Sequence, residues 1–183
     1  MHAAISTLWA LAGIIAIVAL VRRYWFFMAI VSSDSMLPTF ASGSLLVARR
    51  VHRPSRIEGG DVLIFRSREM GVTMIKRVIG LPADQIELRS DASVRVNGET
   101  LEEQYAISRG SFRGSFSVPA GHYFFLGDNR ERSEDSRSWE RPYIPFSDIK
   151  GKIIFSIPRR QNLPTRLTAP PSTFTSSFDR QIS

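Results

Sequence analysis

The sequence of 183 residues contains no cysteine and only three lysines. Without cysteine the chain can form no disulfide, no thiol nucleophile and no thiolate metal site, although its redox compartment stays undecided. Arginine supplies 21 of the 24 basic residues behind the formal net charge of +7. An arginine side chain keeps its proton in a protein, whereas a desolvated lysine can lose it. A cationic side chain that acts as a base must therefore be Lys76, Lys150 or Lys152.

The overall composition is that of one globular domain with appendages. Hydrophobic residues make up 43% of the chain and charged residues 22%, and this composition indicates neither disorder nor a repeat array for its body. A pI near 10.5 is compatible with nucleic-acid binding, but the arginines are scattered rather than gathered on one helical stripe. We therefore expect no nucleic-acid partner, and attribute the basic charge to contact with anionic membrane lipid.

An uncharged segment opens the chain. Residues 3–21 run for 19 positions without a charged side chain, long enough to span a membrane as a helix. A cleavable signal peptide is the alternative, but the start MHAAIST has no basic region, and an apolar stretch rather than a cleavage site follows Arg22 and Arg23. We expect residues 1–31 to form an uncleaved transmembrane anchor whose aromatic end lies at the membrane boundary.

After residue 32 the pattern is that of a β domain. Short apolar runs predict strands at residues 45–48, 62–65, 74–79, 122–126 and 152–155. The sequence VRVNGET at residues 94–100 predicts a hairpin with Asn97 and Gly98 at its tip. We expect a mainly β fold of antiparallel sheets over residues 32–160. Residues 161–183, rich in Pro, Ser and Thr, are predicted to form a disordered tail.

Two segments could supply a nucleophile and a base. The sequence SDSMLPT at residues 33–39 contains Ser35, although such a pattern by itself is typical of a plain turn. Lys76 stands inside an apolar run and could lie on the solvent face of an edge strand. If it faces inward, desolvation lowers its pKa towards neutrality. A neutral amine can then take the proton of a serine hydroxyl.

A third segment, GDNRERSEDSRSW at residues 127–139, mixes acidic, basic and hydroxyl side chains. It is either a solvated loop or a set of paired charges that supports an active site, with a hydroxyl that orients the base. The three histidines have little support as a base, since His122 has no carboxylate near it in sequence, His2 is terminal and His52 lies in a basic loop.

The order and spacing of these segments resemble the bacterial type I signal peptidase (leader peptidase) family, peptidase family S26. SDSMLPT is similar to its Ser-x-Ser-Met-x-Pro-Thr motif, and KRVIGLP at residues 76–82 is similar to its lysine motif. The sequences GDV at residues 60–62 and GDNR at residues 127–130 resemble two further motifs, the last continuing through Ser133, Asp135, Ser136 and Arg137. The resemblance covers roughly residues 5–157 and includes the hydrophobic anchor.

The resemblance implies a role for each matching position. Ser35 would attack the scissile carbonyl and form an acyl-enzyme, with Lys76 as the general base. Ser33 would contribute to the oxyanion hole and Ser133 would orient the lysine amine. An ion-paired shell would hold these groups in place, formed by Arg77, Asp128, Asp135 and Arg137.

The resemblance also implies a substrate and a location. The enzyme would be a serine endopeptidase that cleaves signal peptides of exported preproteins after a small-x-small motif, with Met36 and Ile75 lining shallow pockets. It would sit in the inner (cytoplasmic) membrane with its catalytic domain on the outer face, and would need no cofactor and no metal. Arg22 and Arg23, which follow the anchor, favour the opposite orientation by the positive-inside tendency.

Three departures from the family pattern indicate a divergent member. Ala83 replaces the usual glycine before Asp84, Glu140 stands where glycine is usual, and the stretch from Trp139 to Pro145 is about two residues longer. The second subdomain of larger members should be reduced to little more than hairpins, at about residues 85–121.

Three alternatives follow from the same residues. One is a specialised Ser–Lys peptidase of conjugative transfer or pilin maturation, and another is an inactive membrane-tethered β domain. A self-cleaving repressor is disfavoured, because residues 1–31 offer an apolar segment where it needs a DNA-binding module.

Overall fold

The computed structural model describes residues 2–107 and 112–159, and the predicted disordered tail lies outside these residues. One α-helix, α1 (His2–Tyr24), precedes the strands. In chain order the strands are β1 (Phe26–Ile30), β2 (Leu45–Arg50), β3 (Val62–Arg66), β4 (Thr73–Gly80), β5 (Gln85–Leu88), β6 (Val94–Val96), β7 (Glu99–Thr100), β8 (Gly114–Ser117), β9 (His122–Leu126), β10 (Tyr143–Pro145) and β11 (Ile149–Ile157). Two short 3₁₀ helices span Pro54–Arg56 and Phe146–Asp148.

Helix α1 carries large apolar side chains that contact little of the β domain. Leu8, Trp9 and Ile17 are 69%, 74% and 62% exposed, and further apolar side chains of the helix are similarly exposed. Among the helices of the described residues, none is both long enough and apolar enough to cross a membrane.

A seven-stranded antiparallel sheet forms the larger part of the domain. Its strand order is β1-β2-β11-β3-β4-β9-β10, so β4 lies in the interior of the sheet between β3 and β9. All five apolar runs predicted as strands lie inside strands of this sheet. The prediction of a mainly β, antiparallel fold is therefore confirmed.

A second sheet lies between β4 and β9 in the chain. It has four strands in the order β7-β6-β5-β8, all paired antiparallel. The predicted hairpin is confirmed, since β6 and β7 pair across a turn in which Asn97 and Gly98 have φ values of 53° and 84°. Positive φ at both central residues is what a two-residue type I′ turn requires. The predicted domain limits stay predictions.

The core packs on both faces of the large sheet, because alternate side chains of a strand point to opposite faces. In β9, Tyr123 and Phe125 belong to one buried cluster while Phe124 and Leu126 belong to another, which includes residues of the small sheet. A third cluster lies next to the loop after β1 and contains Val31, Met36, Phe40, Leu46 and Val62.

The turn after β4 accommodates the alanine that departs from the family pattern. Ala83 has a φ of 76°, in the left-handed region that glycine adopts without strain. The Asp84 carboxylate accepts a hydrogen bond from the Leu81 N–H at 2.7 Å, and the Asp84 N–H donates back to the Leu81 carbonyl at 3.0 Å. This reciprocal pair holds the turn closed despite the side chain of Ala83.

Candidate active site

Ser35 lies in the loop that joins β1 to β2. Two hydrogen bonds close the neck of this loop, from the Val31 N–H to the Ser44 carbonyl at 3.0 Å and from the Gly43 N–H to the Val31 carbonyl at 2.7 Å. Met36, directly after Ser35, is only 1% exposed because it packs into the third core cluster. The loop is therefore anchored by its own apolar residues, which fixes the position of the serine.

The polar atoms around Ser35 are arranged in a specific way. Its Oγ lies 3.3 Å from the Oγ of Ser33, and its carbonyl accepts a hydrogen bond from the Asn129 N–H at 3.0 Å. The Asn129 side chain also donates to the Asp34 carbonyl at 3.1 Å. No hydrogen bond within residues 2–107 and 112–159 uses the backbone N–H of Ser35. That donor is thus available to another oxygen.

Lys76 faces inward, which decides between the two placements that the sequence allowed. It stands on β4, where it pairs with Leu63 of β3, and only 3% of its surface is exposed. Among the described residues no carboxylate forms an ion pair with it. An interior strand with apolar neighbours therefore carries a cation without a direct counter-ion.

Burial has a direct effect on the proton affinity of this amine. Desolvation lowers the pKa of Lys76 to about 8, because the charged form loses its hydration. Asp135 opposes the shift and Arg137 adds to it, and the more weakly acting Glu134 and Asp128 also oppose it. The result is an amine that is substantially neutral at mildly alkaline pH.

Gly127, in the loop after β9, packs between the Ser35 carbonyl and the side chain of Ser133. A Cβ built on Gly127 would lie 2.6 Å from the Ser35 carbonyl oxygen and would overlap the side chain of Ser133. A glycine is therefore required here, because only hydrogen fits between these two residues.

Asp135 is the centre of the first buried charge network. Its carboxylate accepts hydrogen bonds from the Ser133 hydroxyl at 2.6 Å and from the Gly127 N–H at 3.0 Å. The Arg137 guanidinium donates to both carboxylate oxygens, at 2.7 Å and 2.9 Å, and to the Arg130 carbonyl at 2.7 Å. Bidentate pairs of this kind fix orientation as well as charge.

Asp128 is the centre of the second network. Its carboxylate accepts two hydrogen bonds from Arg77, at 2.8 Å and 2.6 Å, and one from the Thr39 hydroxyl. Arg77 also donates to the Gly60 carbonyl at 2.7 Å. These contacts tie the serine loop, β4 and the loop after β9 together, and they include Gly60 of the GDV segment.

A third network was not predicted from the sequence. Glu103 forms an ion pair with Arg130, and both side chains are buried, at 9% and 4% exposure. The Tyr105 ring lies under the Arg77 guanidinium at 3.9 Å, and its hydroxyl donates to Glu103 at 3.1 Å. Burial raises the pKa of Tyr105, so the hydroxyl remains a donor. In the sequence, the only local sign of this network was the presence of acidic and aromatic side chains, Glu103 and Tyr105, in an otherwise irregular segment.

The structure groups most of the residues that the sequence singled out. The contacts above connect six of them to the Ser35 loop or to the 127–137 loop, namely Ser33, Ser133, Arg77, Asp128, Asp135 and Arg137. The charges of Asp128, Asp135 and Arg137 act on the buried Lys76. Met36 is a core residue and Ile75 is half-buried beside the same cluster, so their contact with substrate stays a prediction.

The longer stretch after Trp139 is held by a carboxylate from a distant loop. The side chain of Glu69 accepts hydrogen bonds from the backbone N–H groups of Glu140 and Arg141, at 3.1 Å and 3.0 Å. Within the described residues, no group of three or more His, Asp and Glu is placed to hold a metal ion.

Comparison with known proteins gives consistent matches. A family model described as "Signal peptidase, peptidase S26" matches residues 4–157. A signal peptidase I of Bacillus licheniformis is 36% identical over 145 residues, which cover 71% of this chain and 77% of that protein. A probable signal peptidase I-1 of Synechocystis is 34% identical over 138 residues, covering 68% of this chain and 67% of that protein.

Two further matches differ in extent. A signal peptidase I of Pseudomonas fluorescens is 31% identical over 166 residues. The match covers 67% of this chain but only 58% of the length of that relative. A crystal structure of a signal peptidase I from Enterococcus faecalis is 30% identical, with a TM-score of 0.47, and covers 54% of this chain and 97% of that chain.

We predict that Glu103→Gln lowers the free energy of unfolding by about 3 kcal/mol, because it leaves the buried charge of Arg130 without a counter-ion. Denaturant unfolding of the full chain measures the change. Glu102→Gln is the matched control, since Glu102 is the exposed neighbour, and it should change stability by less than about 0.5 kcal/mol. Equal effects of the two substitutions would contradict a structural role for the Glu103–Arg130 pair.

Proposed function

The chain belongs to the signal peptidase family of S26 peptidases, and from this premise we propose that it is a serine endopeptidase that removes signal peptides from exported preproteins. The observation that carries the proposal is the burial of Lys76 near Asp135, without an ion-pair partner among the described residues, while the loop that holds Asp135 contacts the Ser35 loop. A lysine in such an environment can act as a base near neutral pH, which an exposed lysine cannot.

Ser35 acts as the nucleophile and Lys76 as the general base. The neutral amine takes the hydroxyl proton while Oγ bonds to the scissile carbonyl carbon, which produces a tetrahedral oxyanion. As the carbon–nitrogen bond breaks, the lysine ammonium returns the proton to the leaving amine. Lys76 then activates the water that hydrolyses the Ser35 ester.

The oxyanion is bound by the Ser35 N–H and the Ser33 hydroxyl. This proposal is supported by the backbone donor that no described hydrogen bond uses and by the 3.3 Å distance between the two serine Oγ atoms. One such donor contributes on the order of 3 kcal/mol to transition-state stabilisation.

Ser133 orients the lysine amine. Its hydroxyl donates to Asp135, which leaves the lone pairs of its oxygen free to accept a hydrogen bond from an N–H of Lys76. The ion pairs of Asp135 with Arg137 and of Asp128 with Arg77 hold the surrounding loops. Such support matters because a displacement of about 1 Å at a reacting group can reduce the rate about 10²-fold.

The substrate is the small-x-small end of a signal peptide. An extended peptide can add to an exposed strand edge, where backbone hydrogen bonds give affinity and pockets give selectivity. Met36 and Ile75 limit the size of these pockets. This part of the proposal is supported by the apolar packing of both residues beside the Ser35 loop.

Helix α1 attaches the enzyme to the inner membrane. The support is the set of exposed apolar side chains on α1, which continues into β1 at Met28 and Ile30, 56% and 68% exposed. Burial of such surface in lipid is favourable. The catalytic domain then lies on the outer face, close to where signal peptides emerge.

Substitution of Lys76 by arginine tests whether its ability to release a proton, rather than its positive charge, is needed for cleavage. Lys76→Arg should abolish preprotein cleavage, by at least about 10³-fold in kcat/KM, because arginine keeps the positive charge but cannot lose its proton. Ser35→Ala should have the same effect. Lys150→Arg, at an exposed lysine bonded to Thr73, is the matched control and should keep full activity. Full activity of a folded Lys76→Arg protein would refute the mechanism.

The pH dependence should follow the protonation of Lys76. Because the neutral amine is the active form, kcat/KM should rise about tenfold per pH unit on the acid side. It should level off above a midpoint near 8, the lowered pKa of Lys76. Glu134→Gln removes a charge that raises this pKa, so the midpoint should move to lower pH. Glu131→Gln, exposed in the same loop, should leave it unchanged, and a flat profile would exclude the lysine as base.

Orientation is tested by a compartment reporter fused after Ser183. The proposal predicts a signal from the outer face of the membrane, because a folded domain that is exported can overrule the positive-inside tendency of Arg22 and Arg23. A cytoplasmic signal would refute the placement of the catalytic domain.

A further inference from the structure

A basic cleft lies where α1 passes into β1. Its volume is ≈ 410 Å³, and it is lined by Tyr24, Trp25, Arg49, Arg50, Val51, His52, Arg53 and Arg56. The networks of the candidate active site use none of these residues. The cleft is therefore a separate feature that the proposed peptidase chemistry does not explain.

The charge of the cleft is uncompensated. No acidic residue lines it, and no carboxylate among residues 2–107 and 112–159 forms an ion pair with any of its four arginines. Other arginines of the chain, such as Arg77 and Arg137, are held in bidentate pairs with aspartate. The cleft thus presents several guanidinium groups to an external anion.

Arg50 combines a contact with an aromatic ring with a place in the lining of the cleft. Its Nε atom is buried and has no hydrogen-bond acceptor, while its guanidinium lies 5.1 Å from the centre of the Phe27 ring. Arg50 is half-buried and lines the cleft, so its guanidinium can meet an external anion only through atoms other than Nε. A phosphate group offers several acceptor oxygens to a guanidinium fork.

The position of the cleft is fixed relative to the helix. The Arg50 N–H donates to the Trp25 carbonyl at 2.8 Å, and Nε2 of His52 lies 2.8 Å from the Tyr24 carbonyl, to which it donates. These bonds hold the arginines at the C-terminal end of α1, where Tyr24 and Trp25 are 51% and 63% exposed. Amphipathic aromatic rings favour the boundary between lipid and water.

We propose that this cleft binds the phosphate-bearing headgroup of an anionic phospholipid, with the acyl chains along the exposed apolar side chains of α1. The assignment rests on the proposed membrane attachment, since it combines guanidinium groups, boundary aromatics and an adjoining apolar surface. A free phosphate needs only the first of these three, which is why the lipid is favoured.

Native mass spectrometry of the full chain, released from mixed detergent–lipid micelles, tests the assignment. The wild-type chain should retain phosphatidylglycerol about tenfold better than phosphatidylcholine of the same acyl chains. Arg53→Gln with Arg56→Gln should remove this preference, whereas Arg53→Lys with Arg56→Lys should keep most of it. Arg66→Gln with Arg89→Gln, which removes equal charge from exposed sites outside the cleft, is the matched control and should keep it.

Three outcomes would overturn the assignment. They are equal retention of both lipids by the wild-type chain, loss of the preference in the control variant, and complete displacement of the lipid by inorganic phosphate. The last outcome would indicate a free-phosphate site. Ser35→Ala should keep the lipid preference without cleavage, and the Arg53→Gln, Arg56→Gln variant should keep cleavage in detergent, so failure of this proposal is distinguishable from failure of the peptidase proposal.

Discussion

The desolvation of one amine is the constraint on which the rest of the site depends. Lys76 stands on an interior strand, is 3% exposed and has no carboxylate paired with it among the described residues. Burying an uncompensated cation is unfavourable, and the protein responds by lowering the proton affinity of the amine rather than by supplying a counter-ion. A direct ion pair with Asp135 would stabilise the ammonium form and raise the pKa of the proposed base. The structure avoids this because Arg137 and Ser133 already occupy the Asp135 carboxylate.

Three ion pairs surround the site, whereas Lys76 has no ion pair among the described residues. The three pairs are buried or half-buried, and they join Arg77 to Asp128, Arg137 to Asp135 and Arg130 to Glu103. A buried pair is weak support for stability in itself, but loss of one partner is costly because the other charge then stays buried alone. Loss of any one of these partners should therefore disturb the loops that the pair connects. Rigid placement is what a hydroxyl and an amine need for proton transfer.

Arginine and lysine are used differently along the chain, because arginine keeps its charge whereas a buried lysine can lose its proton. Arginine forms the bidentate pairs around the site and lines the basic cleft at the end of α1, where a permanent charge and a planar fork are useful. Under the proposed mechanism, lysine occupies the buried position at which a proton is released. The other two lysines make ordinary polar contacts, Lys150 with Thr73 and Lys152 with Asp61. The scarcity of lysine in the sequence was therefore an informative feature.

The sequence by itself determined the five interior strands, the Asn97-Gly98 hairpin and the family, because continuous apolar runs, turn residues and motif spacing are local properties. It missed β1, whose apolar and aromatic residues resemble a membrane-boundary segment, and β5, β8 and β10, which are too short to show a period. Only the tertiary structure decided that Lys76 faces inward, that Glu103 pairs with Arg130 from 27 positions away, and that four arginines meet at the end of α1. The physical reason is that burial and ion pairing depend on which strands become neighbours, and no local pattern specifies that.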